Sequence, residues 1–224
     1  MTPIRKTAIL VGVLFLIQTA SYLAGDTLVR SAVETGAAVS DTSEIRAGVF
    51  LQFINVSAVL GIGVLMFSIL KRFHEAIALG YTATKIVEAA LLLGSALSAL
   101  LVLPISHTVT DGTQGLVGLS MEAYDLAFQL AMIALGAGSL LFMYGLFRFR
   151  LVPAVLPLLG AVGYVGLFLS GWLTIAGWEM ATVLYVPGAV FELALPIWLI
   201  VKGFSDPVQQ DWDAPYPLAE TVQV

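Results

Sequence analysis

The sequence predicts an all-α, polytopic membrane protein of six transmembrane helices, with the N-terminus and the C-terminus both cytoplasmic. Of its 224 residues, 59% are hydrophobic and only 11% are charged, whereas a soluble domain carries about 25% charged residues. Six separate apolar runs are each long enough to cross a bilayer, which takes about 20 residues. The basic residues collect in short segments on one side of these runs, as the positive-inside rule requires.

The predicted spans follow one another through a transmembrane domain of residues 1–205. They lie at residues 7–24, 47–70, 76–103, 124–147, 154–176 and 182–201. The first span begins as a signal peptide does, but it is long and ends in a weak cleavage site, so we predict that it is retained. We predict a short surface helix at residues 27–34 and a polar loop at residues 104–120. Residues 206–224 are acidic and contain prolines, which predicts a disordered cytoplasmic tail.

The orientation follows from the positions of the ten Lys and Arg residues. With the N-terminus in the cytoplasm, the cytoplasmic side holds Arg5, Lys6, Lys71, Arg72, Arg148, Arg150 and Lys202. The outer side holds only Arg30 and Arg46, and Lys85 lies inside the third span. This asymmetry requires an even number of spans. We therefore expect a multi-pass protein of the cell membrane, with the lipid bilayer as its main partner.

Composition and missing motifs exclude several classes of function. The chain has no cysteine, which excludes disulfides, thiolate metal sites and cysteine nucleophiles. His74 and His107 are predicted in loops on opposite sides of the membrane, which excludes haem held by paired intramembrane histidines and argues against a histidine-based zinc site. Neither HExxH nor GxSxG is present, and the basic loops are too short to bind nucleic acid. We expect no metal, no cofactor, no nucleic-acid partner and no catalytic residues.

Polar side chains inside the predicted spans mark where a ligand could bind, because charged groups at mid-membrane are costly. Lys85 and Glu88 lie near the middle of the third span, and Glu192 lies near the middle of the sixth. Other candidates on the helix faces are Gln18, Tyr22, Gln52, Asn55, Tyr81, Asp125, Gln129 and Tyr185. Most of them fall in the outer half of the bilayer or at its centre. We predict a polar cavity that opens outward, with Lys85, Glu88 and Glu192 at its floor, for a small molecule or a proton.

The charges at this floor do not balance, because one ammonium faces two carboxylates. If the three groups are close, we expect one glutamic acid to be protonated near neutral pH. In an alternative interpretation, Lys85 and Glu88 are three residues apart on one helix and neutralise each other. Glu192 would then bond a hydroxyl or an amide such as that of Asn55. The polar residues would in that case only hold the helices together.

Small and helix-breaking residues shape the last two spans. Gly160, Gly163 and Gly166 recur every three residues on the fifth span, which predicts close packing against another helix. Pro187 and Pro196 lie on either side of Glu192 on the sixth span and could kink it there.

Several short motifs, taken in their order along the chain, resemble a known family. They are Leu79-Gly80-Tyr81, Lys85-x-x-Glu88-Ala89, Leu91-Leu92-Leu93, Leu151-Val152-Pro153 and the segment from Trp198 to Phe204. In this order they resemble the prokaryotic membrane proteins grouped as domain of unknown function 4386. The resemblance implies importance for Asn55, Lys85, Glu88 and Glu192, but it implies no activity. Lys85 stands where an arginine is expected, and a buried lysine can lose its charge whereas an arginine cannot.

Two functions stay open from the sequence. In the first, the protein is a small transporter or a ligand-binding membrane protein. In the second, it is a non-catalytic structural or accessory protein whose intramembrane polar groups satisfy one another. A water-accessible cavity that touches Glu88 or Glu192 favours the first function, and its absence favours the second.

Overall fold

A computed structural model describes four stretches of the chain. They are residues 3–34, 42–106, 113–178 and 183–205. All regular secondary structure in these residues is helical, which confirms the predicted fold class. The helices are α1 (Pro3–Glu34), α2 (Ser43–Leu70), α3 (Glu75–Ser106), α4 (Thr113–Arg148), α5 (Val155–Ile175) and α6 (Val186–Val201). Six stretches are long and apolar enough to cross a membrane, and the sixth includes one short turn before α6. The protein is therefore a multi-pass membrane protein.

The first four helices extend beyond their predicted spans. The separate surface helix expected at residues 27–34 is wrong, because α1 continues without a break to Glu34. Much of the loop expected at residues 104–120 is also helical, since α3 runs past Pro104 and α4 begins at Thr113. The predictions for His107 and for residues 206–224 lie outside the described residues.

The extension of α1 has a physical cause in its packed face. Val29 and Ala32 are fully buried, although they follow the apolar run. Val29 packs in a cluster with Ala99 and Tyr124, and Ala32 packs in another with Ile45. Because these contacts continue the stripe that faces the bundle, the helix gains packing well beyond its hydrophobic centre.

The six helices form a closed ring. Each helix packs against the next in the chain, and α6 packs back against α1. Short connections at residues 71–74 and 149–154 make neighbouring helices antiparallel. The centre of the ring is therefore bounded by one face of every helix, and side chains far apart in sequence meet there.

The outer surface of the ring is apolar, as lipid contact requires. Phe50 is 64% exposed, Leu97 60% and Val162 62%, and they lie on three different helices. Inside the ring, by contrast, aromatic side chains from five helices are almost fully buried. These are Phe15, Tyr81, Phe142, Tyr164 and Phe191. The fold thus turns one apolar surface toward lipid and a second toward its own centre.

Arg5 connects the first helix to the last. Its guanidinium donates hydrogen bonds to the carbonyl oxygens of Leu199 at 3.1 Å, Ile200 at 2.6 Å and Val201 at 3.0 Å. These carbonyls belong to the last turn of α6, where no further turn of the helix supplies donors. We call this side of the ring the basic end, and the other side the opposite end. By the positive-inside rule, we expect the basic end to face the cytoplasm.

Replacement of Arg5 by alanine is expected to lower the free energy of unfolding by about 1–2 kcal/mol, because the end of α6 loses a cation and three donors. Denaturation by SDS, followed by circular dichroism, measures the change. Lys6→Ala is the matched control, since Lys6 carries the same charge on an exposed side chain. Equal losses in the two variants would contradict a specific role for Arg5.

Glycines set the closest helix approaches. A Cβ atom added to Gly163 on α5 would lie 2.5 Å from the Cα of Gly188 on α6. A Cβ atom on Gly25 in α1 would lie 2.7 Å from the carbonyl oxygen of Gly48 in α2. In both places backbone meets backbone, so only glycine allows the observed distance. These contacts also fix the vertical register between neighbouring helices.

Candidate ligand-binding cavity

A cavity of about 300 Å³ lies inside the ring, and all six helices contribute to its wall. This volume is at the lower end of the range of small-molecule sites, about 300–1,000 Å³. Most of the wall is apolar, with Leu92, Met132, Leu135 and Leu167 among its residues. Polar side chains on the wall include Gln18, Tyr22, Asn55, Glu88, Tyr185 and Glu192.

Lys85 and Glu88 form a buried ion pair beside the cavity. Lys85 Nζ lies 2.9 Å from Glu88 Oε2, and each side chain is at most 2% exposed. The ammonium also lies 6.0 Å from the ring centre of Phe15 and 5.8 Å from that of Tyr81. Glu88 reaches the cavity wall, whereas Lys85 does not. The pair is neutral as a unit, so it leaves the charge of Glu192 uncompensated.

Glu192 on α6 lines the same cavity. Its carboxylate forms no hydrogen bond with any residue that the structure describes. It interacts with Lys85 and Glu88 only through longer-range electrostatics. Pro196 lies four residues further along α6 and has no N–H, so the backbone carbonyl of Glu192 also lacks its helical donor. Within the described residues, no group of three His, Cys, Asp or Glu could hold a metal ion.

Two buried amides on the cavity wall also lack partners. Gln18 is 6% exposed and Asn55 is 3% exposed. Gln18 Oε1 and Asn55 Oδ1 accept no hydrogen bond. Leaving such a group unsatisfied costs about 1–3 kcal/mol. A side chain that provides neither a structural bond nor a solvated surface is a candidate contact for a ligand.

Gln18, Asn55 and Glu192 lie at similar depth on three consecutive helices of the ring. From the Gly25–Gly48 contact, Gln18 and Asn55 are each seven residues further toward the basic end. A Cβ atom on Gly12 would lie 2.8 Å from the carbonyl oxygen of Pro196, and both Gln18 and Glu192 lie beyond that contact toward the opposite end. The register therefore places the three side chains within about one helical turn, about 5.4 Å, of one another in depth along the helix axes.

The cavity is covered toward the opposite end of the ring. Tyr22 on α1 stacks on Phe128 of α4 with ring centres 5.0 Å apart, although these helices face each other across the ring. Asp26 and Asp125 lie one turn further toward the opposite end. Arg30 donates hydrogen bonds to Asp125 at 2.6 Å and to Asp26 at 3.0 Å. These contacts tie α1 to α4 above the cavity.

Part of the cavity wall is exposed on the outer surface of the ring, between α1 and α6. Three residues of the wall have exposed side chains, and they are Leu23, Ala189 and Leu193. Leu23 belongs to α1, and the other two belong to α6. Toward the outer end, where the sequence predicts the opening, the Tyr22–Phe128 stack and the Arg30 ion pairs lie across the described part of the ring.

Comparison with known proteins adds the family. The family model described as "Domain of unknown function (DUF4386)" matches residues 10–203, which is most of the chain. The chain belongs to this family. No curated protein and no solved structure matches it. The family description names no activity, and the cavity is the feature of this DUF4386 protein that suggests a function.

The DUF4386 fold brings some of the predicted site residues to the cavity and holds others outside it. Asn55, Glu88, Tyr185 and Glu192 lie on the wall. Five other candidates lie off the wall, and they are Gln52, Tyr81, Lys85, Asp125 and Gln129.

Each of these five has a partner inside the protein. The amide of Gln52 donates to the hydroxyl of Tyr124 at 2.5 Å. The hydroxyl of Tyr185 donates to Gln129 Oε1 at 2.8 Å. Tyr81 stacks on Phe142, with ring centres 4.3 Å apart, Lys85 pairs with Glu88, and Asp125 pairs with Arg30. Four of these interactions connect different helices, whereas the Lys85–Glu88 pair lies within α3.

Two parts of the site were not predicted from the sequence. Phe128, Met132 and Leu135 form the apolar wall on α4, and their spacing of four and three residues was the available signal. The contacts of Arg30 and Tyr124 with the acidic residues that cover the cavity were not predicted either. Arg30 is 95 residues from Asp125 in sequence, so no local pattern pointed to that pair.

Proposed function

We propose that this DUF4386 protein binds a small ligand in the cavity inside its helix ring and acts as a small transporter of the cell membrane. One observation supports the proposal most strongly: an unpartnered Glu192 carboxylate shares the cavity with the unpaired amides of Gln18 and Asn55. A membrane protein has little reason to keep three unsatisfied polar groups at one depth unless something binds them, because each costs stability.

The structural alternative explains other parts of the bundle. The pairs Lys85–Glu88, Gln52–Tyr124 and Tyr185–Gln129 satisfy their own polar groups. The last two pairs join helices and the first lies within α3, and none of them needs a ligand. Glu192 differs, because a carboxylate that serves only to join helices needs a donor or a cation beside it. The alternative thus leaves Glu192 without a role.

Transport also requires a helix that can change shape beside the bound ligand. Pro196 removes a hydrogen bond inside α6, one turn from Glu192, whereas Pro187 lies in the first turn of the helix, where proline is tolerated. Broken helices at mid-membrane sites are a recurring feature of transporters. Bending of α6 at Pro196 would move Glu192 relative to Gln18 and Asn55 on the neighbouring helices. This supports α6 as the moving element of the proposed transporter.

The test compares Glu192→Gln with Glu122→Gln, because Glu122 is exposed on α4 and remote from the wall. Purified protein is screened by thermal unfolding against a chemically mixed library of metabolites, since a ligand raises the unfolding midpoint of the state that binds it. We expect normal folded yield for both variants. Compounds that stabilise the wild type should stabilise Glu122→Gln and fail with Glu192→Gln.

Two results would overturn the proposed function. One is a library screen in which no compound raises the unfolding midpoint in a way that depends on Glu192. The other is a collapse of folded yield in Glu192→Gln alone, which would show that the carboxylate holds the bundle together. A ligand that binds equally to both variants would locate binding outside this cavity and count as the first result.

A further inference from the structure

Resting on the proposed function, we propose that the ligand is a primary organic ammonium ion with an apolar tail, and that it reaches the cavity from the bilayer through the opening between α1 and α6. The ammonium group binds Glu192, Gln18 and Asn55. The tail lies against the apolar wall formed by α4 and α5.

The sign of the ligand's charge follows from the charged groups around the cavity. Lys85 and Glu88 neutralise each other at 2.9 Å, so Glu192, when ionised, gives the site one net negative charge. Arg30, which lies across the opposite end of the cavity, is already paired with both Asp26 and Asp125. The site would therefore repel an anionic ligand, whereas a cationic ligand would neutralise the net charge of the site. In a medium of low dielectric constant, this difference dominates binding.

The number of acceptors fits a primary ammonium. Such a group has three N–H donors, and three unpartnered acceptors lie within about one helical turn of depth on α6, α1 and α2. They are the Glu192 carboxylate, Gln18 Oε1 and Asn55 Oδ1. An amide can also rotate to present its NH₂ group, but an ionised carboxylate only accepts hydrogen bonds. An ionised Glu192 therefore requires a ligand that donates hydrogen bonds to its carboxylate.

The remaining wall fits a single ring or a short alkyl chain. Phe128, Met132, Leu135 and Leu167 supply an apolar surface, and the cavity holds about 300 Å³. The ring of Tyr22 lies on the same wall, and aromatic faces attract cations. A small arylalkylamine would bury its ring among these side chains while its ammonium reaches Glu192.

The route follows from which side of the cavity is uncovered. Leu23 is 59% exposed and Leu193 is 49% exposed, and both belong to the wall. Their exposed sides lie on the lipid-facing surface of the ring. Amines with apolar tails concentrate at the membrane interface, because the tail enters the hydrocarbon while the charge stays at the surface. Such a ligand is therefore already on the side where the cavity is open.

Calorimetric titration of the protein in lipid nanodiscs tests the ligand class with three compounds of similar size. Phenethylammonium is the cation, phenylethanol its neutral counterpart and phenylacetate its anionic counterpart. We expect phenethylammonium to bind the wild type at least about 10-fold more tightly than either of the others. Glu192→Gln should abolish that preference and Glu122→Gln should keep it.

The possible failures are distinguishable from failure of the proposed function. Equal binding of phenylethanol, or tighter binding of phenylacetate, overturns the ammonium class while a Glu192-dependent ligand remains. Absence of binding by all three compounds at millimolar concentration also overturns the class. In that case, library compounds that depend on Glu192 would still support the proposed function.

The route is tested in the same nanodiscs. Because the chain has no native cysteine, a single thiol can be introduced and labelled at a chosen position. Ala189→Cys places a thiol at the opening, and Val190→Cys places one on the adjacent exposed position that is off the cavity wall. Coupling to a bulky maleimide should slow phenethylammonium association at least about 10-fold for the first variant and leave the second unchanged. Equal effects at both positions, or none at Ala189→Cys, would overturn access between α1 and α6.

Discussion

Replacement of Lys85 by methionine is expected to lower the free energy of unfolding by about 3–5 kcal/mol, because it leaves a charged partner buried and unpaired. That partner is Glu88, whose carboxylate lies 2.9 Å from the ammonium and is almost inaccessible. Glu192 would also lose the single cation that interacts with it electrostatically. SDS-induced unfolding, followed by circular dichroism in mixed micelles, measures the loss.

The double variant Lys85→Met/Glu88→Met provides the control for this prediction. Removing both charges replaces a buried ion pair with side chains of similar size, which is often close to neutral for stability. We therefore expect the double variant to recover most of the loss of the single variant. A double variant no more stable than Lys85→Met would show that the ion pair itself, rather than an isolated charge, determines stability.

Replacement of Gly163 by valine is expected to cost more than about 3 kcal/mol, because the added atoms would overlap the backbone of α6 and force α5 and α6 apart. Backbone atoms of Gly188 lie 2.5 and 2.6 Å from the position of the new Cβ. Neither backbone can move aside as a flexible side chain would. Folded yield and the unfolding midpoint of the purified variant measure the effect.

Gly94 is the matched control, since it is also helical but has open space where its Cβ would lie. Gly94→Val should change stability by less than about 1 kcal/mol, because a β-branched residue and glycine differ only modestly in helix propensity. If the two valine variants lost stability equally, helix propensity and not contact between α5 and α6 would explain the result.

The helices were predictable because lipid leaves few alternatives for the backbone. In a bilayer every buried N–H and C=O needs a partner within its own segment, so a long apolar run becomes a helix. That argument gave six spans and the local Lys85–Glu88 pair, whose partners are three residues apart. It failed at residues 27–34, because the burial of Val29 and Ala32 depends on other helices.

The cavity was only partly predictable, because its shape depends on which helices are neighbours. Asn55, Glu88 and Glu192 stood out as polar residues in apolar spans, and all three reach the wall. Gln52 had the same signature, yet the ring places it against Tyr124 instead. The difference arises from the rotation and register of α2, which glycine contacts set and which no periodicity within one helix reveals.

The contacts between polar groups at the outer end were beyond the sequence for a similar reason. The density of polar groups at one end suggested access from water. In the structure, those groups bond to each other, through Arg30 with Asp26 and Asp125 and through Tyr124 with Asp26. Polar residues at a membrane surface can therefore cover a cavity as readily as they open one.

A crystal structure of the protein in lipidic mesophase with bromophenethylammonium would locate the ligand directly through the anomalous signal of bromine. We expect one bromine peak inside the ring, beside Met132, Leu135 and Leu167, with the ammonium between Glu192, Gln18 and Asn55. A cavity without that peak, and with the Glu192 carboxylate bonded to the protein itself, would contradict the assignment of these three side chains as an ammonium site.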